Sequence, residues 1–76
     1  MTAGELQDAL IAMLVRRGGG TQRRWRLVMG PVRVHDVATH PHCNWSVTPT
    51  GSAREVDEVE RLLDDVRSAY PVVTAG

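Results

Sequence analysis

Ser52 to Tyr70 constrains the chain more than any other stretch. It opens Ser52-Ala53-Arg54-Glu55, a Ser followed three residues later by Glu. At that spacing the hydroxyl caps one backbone N–H and the carboxylate reaches back to another. Val56, Val59, Leu63, Val66 and Tyr70 then recur at steps of three and four, with Leu62 beside them. One face of a helix is therefore apolar, and a helix of this kind needs a surface to lie on.

The other residues must supply that surface from a short chain. Seventy-six residues make one domain at most, with a thin margin of stability. Disulfides within the chain are excluded, because Cys43 is the only cysteine. A lone thiol points to a reducing, cytoplasmic setting. No stretch approaches the roughly 20 apolar residues of a membrane span. No basic region precedes an apolar run at the N-terminus, so no secretory signal is expected.

Positive and negative charge balance overall but not along the chain. Arg16, Arg17, Arg23, Arg24, Arg26 and Arg33 fall in a window without acids. Glu55, Asp57, Glu58, Glu60, Asp64 and Asp65 crowd the last helix. Either the halves neutralise each other, within a chain or across a dimer, or they form two surfaces with separate partners. All the basic charge is arginine, which coding bias explains as readily as function.

Thr2-Ala3-Gly4-Glu5 is a second capping box. It predicts a helix over 3–17 that stops at Gly18-Gly19-Gly20. Leu6, Leu10, Met13 and Leu14 form its inward face. Ile11 and Val15 point nearly the opposite way, so this helix is either sandwiched or contacts another chain. The glycines do not make a phosphate loop. That motif needs a preceding strand, a lysine and a following helix.

From Gln22 the apolar period reads as two. Trp25, Leu27 and Met29 alternate with Arg24, Arg26 and Val28. Gly30-Pro31 punctuates the run, and Val32 and Val34 alternate with Arg33 and His35. Cys43, Trp45 and Val47 alternate with Asn44, Ser46 and Thr48, and Pro49-Thr50-Gly51 ends them. Strands are expected over 22–29, 32–37 and 43–48, and the last helix over 52–70, stopped by Pro71. Thr74 to Gly76 is expected to fray.

The expected fold class is α+β, of order α-β-β-β-α: a three-stranded antiparallel meander with two helices on one face. Arg24, Arg26, Arg33, His35, Asn44, Ser46 and Thr48 would cover the open face of the sheet. A two-strand version, with Trp25 to Val37 as one bent ribbon, is the competitor. Double-stranded RNA-binding domains share this element order but carry a basic cluster at the start of their second helix. Here Arg54 is followed by Glu55, Asp57 and Glu58, and the family is not assigned.

Three constellations bear on chemistry. His40, His42 and Cys43 are metal-ligating types, but His-x-His-Cys is not a common zinc spacing and a fourth ligand is missing. As a nucleophile and base the same residues lack an orienting partner other than Asp36. The arginines offer phosphate contacts, without aromatic residues on the same face for base stacking.

The expectation is therefore a non-enzymatic protein-interaction module, a homodimer with an additional unknown partner. Its interface is expected at Ile11 and Val15. A nucleic-acid-binding protein using Arg16, Arg17, Arg23, Arg24, Arg26 and Arg33 is the alternative. A small metal-binding protein using His40, His42 and Cys43 is a further one. No catalytic residue, cofactor or membrane partner is expected.

Overall fold

A computed structural model describes residues 1–75. Its elements are α1 (Ala3–Gly18), α2 (Gln22–Met29), β1 (Arg33–Val34), β2 (Trp45–Ser46) and α3 (Ala53–Ala69). The order is α-α-β-β-α. Helices form at both capping boxes. Thr2 Oγ1 accepts from the Glu5 N–H (3.1 Å), and the Glu5 carboxylate accepts from the Thr2 N–H (3.0 Å). Ser52 and Glu55 repeat the exchange at 3.2 and 3.0 Å. α3 ends at Ala69, because Pro71 drives Tyr70 out of the helical region to φ −134° and ψ 68°.

The expected three-stranded meander does not form. Residues 22–29 are a helix, and the sheet has two strands, β1 and β2, paired antiparallel with Arg33 opposite Ser46 and Val34 opposite Trp45. The run from Trp25 to Met29 fits both periods. Alternation groups Trp25, Leu27 and Met29, whereas helical spacing groups Trp25, Val28 and Met29. The second set is buried, and Leu27 is 66% exposed. Thr21 supplies the cap, accepting from the Arg24 N–H at 3.1 Å. Gln, Arg, Leu and Met are also good helix formers, and here they outweigh the short alternation.

α1 packs against α2 and α3, and α2 against α3. The α1–α2 connection turns on Gly19 and Gly20, at φ 71° and 79°, where a Cβ would be strained. Gly18 has a different role. A Cβ there would lie 2.7 Å from the Trp25 ring, so its absence lets the indole close on the end of α1. The indole N–H of Trp25 donates to the Gly19 carbonyl oxygen at 2.7 Å. Leu6, Leu10, Leu14, Val59, Leu63 and Trp45 are among the other residues of the buried interior.

The segment after α3 is bound along its length. The Trp45 indole N–H donates to the Tyr70 carbonyl oxygen (2.8 Å), and the Asn44 N–H donates to that of Pro71 (3.0 Å). Asn44, expected on the open sheet face, is instead buried and bonded through its side chain to both backbone groups of Val73. Thr74, expected to fray, pairs with the first residues of the chain: Ala3 N–H donates to its carbonyl oxygen at 2.7 Å. Gly76 lies outside the described residues. Among the described residues no helix is long and apolar enough to cross a membrane.

Candidate functional site

α1 and α3 are each amphipathic, and towards the C-terminal end of each their apolar strips are not fully covered. Met13, Arg16 and Arg17 lie one turn apart on α1. Leu62, Asp65, Val66 and Ala69 repeat at three and four on α3, with Tyr70 at its end. Together they line an open groove of about 410 Å³. Leu62 and Val66 are buried in its floor, Met13 is half-buried, and Ala69 is too small to fill the space. Tyr70 stands at the edge, 44% exposed.

Charge of both signs rims this apolar floor. Arg17 reaches Asp65 across the groove at 3.4 Å, with both side chains largely in solvent. Such an exposed pair contributes about 0–1 kcal/mol and rearranges easily. Arg16 has no ion pair among the described residues. Two smaller clefts have more polar linings. One, of about 330 Å³, lies between Asp8, Ile11 and Ala12 on α1 and Gln22 and Arg26 on α2. The other, of about 260 Å³, is framed by Val47, Pro49, Glu60 and Arg67.

The expected interface at Ile11 and Val15 loses its premise. Ile11 is 2% exposed within the single chain, and Val15 is half-buried against the core. The unforeseen helix α2 runs beside Ile11, so the second apolar side of α1 is covered from within.

Arg24, Arg26 and Arg33, expected together on the open face of the sheet, do not share one. Arg16 and Arg17 end α1, Arg23, Arg24 and Arg26 belong to α2, and Arg33 alone is on a strand. Arg24 grips both carboxylate oxygens of Glu55, at 2.8 Å each. That guanidinium, with the Ser52 N–H, holds the Glu55 carboxyl down at about 2, and the Arg24 pKa is raised in return.

His40, His42 and Cys43 do not converge. The Cys43 thiol donates to the Trp45 carbonyl oxygen at 3.4 Å rather than to an imidazole. His40 stacks on His35, with centroids 4.4 Å apart and planes 21° from parallel. Ring-nitrogen lone pairs lie in the ring planes, so stacked imidazoles do not aim at a common ion. Among the described residues no three His, Cys, Asp or Glu side chains are grouped to hold a metal.

The groove residues escaped sequence reasoning as a site because most of them read as core. The pattern of Leu62, Val66 and Tyr70 shows an apolar strip. Which end of it is covered depends on how α1 and α3 sit together. Comparison of the chain with family models, curated proteins and solved structures finds no match.

Proposed function

We propose that the chain is a non-enzymatic protein-interaction module that works as a homodimer, with the groove of one copy closed by the groove of the other. The observation that carries this reading is self-complementarity. The groove has an apolar floor, a partly exposed aromatic ring at Tyr70, and both signs of charge at Arg16, Arg17 and Asp65. A two-fold contact places the same patch on both sides, so each feature meets its complement. Tyr70 of one copy enters the floor of the other, and Arg16 faces Asp65 of the second copy.

The energetics favour the same occupant. A chain this short has little core to spare, and each apolar Å² covered contributes about 25 cal/mol before association costs. The formal net charge is zero, so two copies do not repel at long range. Among the described residues no cysteine or histidine lines the groove, which favours binding over nucleophilic chemistry.

A charge exchange tests the pairing. Arg16→Asp alone and Asp65→Arg alone should each lower the dimer fraction. Mixing the two variants should restore a dimer containing one chain of each, because both cross-pairs are then opposite in sign. Native mass spectrometry reads the composition. Two variants that remain as associated as the parent, or a mixture that stays monomeric, would contradict this arrangement.

A further inference from the structure

We infer that the outer face of α2 is a phosphate-binding surface for duplex nucleic acid. The starting observation is where positive charge is left uncompensated. Of the α3 acids, Glu55, Asp57, Asp64 and Asp65 are engaged by arginines, and among the described residues Glu58 and Glu60 form no ion pair. Arg23 and Arg26 are exposed and have no ion pair among the described residues. They sit three apart on α2, hence on one side of it, with Gln22 at its first turn. Asp8 shares a cleft with Arg26 but forms no ion pair with it.

The opposite side of α2 is anchored. Trp25, Val28 and Met29 are buried, the Trp25 indole is bonded to Gly19, and Arg24 is bound to Glu55 at the start of α3. The guanidinium groups of Arg23 and Arg26 are therefore carried on a fixed helix. α2 follows α1 after a three-residue turn, Gly19-Gly20-Thr21. In length and glycine content that turn is like those that join the two helices of helix-turn-helix units. With its side chains an α-helix is about 10–12 Å across, a cross-section that the major groove admits.

The missing chemistry narrows the ligand. Both tryptophans are buried, so the outer face has no aromatic ring on which unpaired bases would stack. Arginine contacts to phosphate remain, and they suit a duplex bound with little regard to sequence. This surface is separate from the α1–α3 groove and does not depend on the dimer.

Fluorescence polarisation with a labelled random duplex of about 20 base pairs tests the proposal, titrated from about 50 to 200 mM salt. The parent should bind at the low end and weaken steadily as salt rises. Arg23→Ser with Arg26→Ser should cost at least about tenfold at low salt. It should also flatten the log–log salt slope by about 1.8, or about 0.9 for each phosphate that an arginine no longer neutralises. Arg61→Ser, at a paired site on α3, should change neither. Amide shifts in the parent on adding duplex should centre on Gln22, Arg23 and Arg26, which needs no variant. The inference is overturned by no duplex binding at low salt, by a double variant that binds like the parent, or by amide shifts away from α2. Tighter binding of single strands, or equally tight binding of polyglutamate, would also overturn it by assigning the face to another partner.

Discussion

Arg24 on α2 holds Glu55, the N3 residue of α3, through two hydrogen bonds of 2.8 Å. The same carboxylate closes the α3 capping box through the Ser52 N–H. One side chain thus couples the start of the last helix to a short helix 31 residues earlier. It also makes this contact sensitive to acid. In the folded chain Glu55 releases its proton at about 2, against 4.5 when unperturbed. Between those values the unfolded chain binds more protons, so the contribution is intact above pH 4.5 and is lost as pH falls towards 2. Glu5, bonded to the Thr2 N–H, acts in the same direction. Urea midpoints measured across this range should fall with pH in the parent, and Glu55→Gln should flatten that fall. An unchanged acid limb in the variant would contradict the coupling.

The contact of Gly18 with Trp25 makes a steric prediction. Alanine at position 18 places a methyl group 2.7 Å from the indole, and the ring must move. Gly18→Ala should destabilise by about 1–3 kcal/mol, although alanine is otherwise the better helix former. Urea unfolding checks the sign. Trp25→Phe should make the added cost of Gly18→Ala smaller, because the nearest ring atoms are removed. A stabilised Gly18→Ala chain would mean that the indole does not close on α1.

Asn44 satisfies Val73 twice, donating to its carbonyl oxygen at 2.7 Å and accepting from its N–H at 2.8 Å. Asn44→Leu keeps the branching and the number of side-chain heavy atoms and removes both partners. Each buried group left without a partner costs about 1–3 kcal/mol. Hydrogen exchange should show the Val73 amide losing protection well before those of α1. Equal protection in parent and variant would show that other contacts hold the C-terminal segment.

Ile11 separates core from interface. It is 2% exposed in the single chain, so Ile11→Ala should cost about 2–5 kcal/mol by leaving a cavity. Its association state, measured where the variant remains folded, should match the parent. A variant that dissociates without losing monomer stability would return Ile11 to a contact between chains.

The first and last helices were more legible in the sequence than the middle of the chain or its C-terminal segment. The capping residues Thr2, Glu5, Ser52 and Glu55 announce helices locally, since their chemistry lies within four residues. At Gln22 to Met29 the information is short-range and ambiguous, and burial decides it. Trp25, Val28 and Met29 find the interior as a helix, and the indole needs Gly18 to do so. Once α2 is a helix, Ile11 is covered, and Arg24 and Arg26 leave the sheet while Arg33 stays on β1. One misread period therefore displaced the interface, the basic face and the strand count together. Asn44 escaped for a different reason: its partner Val73 is 29 residues away, and no local pattern marks such a bond.

The central claim is that the α1–α3 groove closes on a second copy, and sedimentation equilibrium tests it most directly. The parent should show twice the chain mass at high micromolar concentration and dissociate on dilution. Ala69→Arg, which puts a long charged side chain at an exposed position of the groove lining, should sediment as a monomer with its helical signal intact. A parent that sediments as a monomer throughout, or an Ala69→Arg chain that dimerises as well as the parent, would contradict the account.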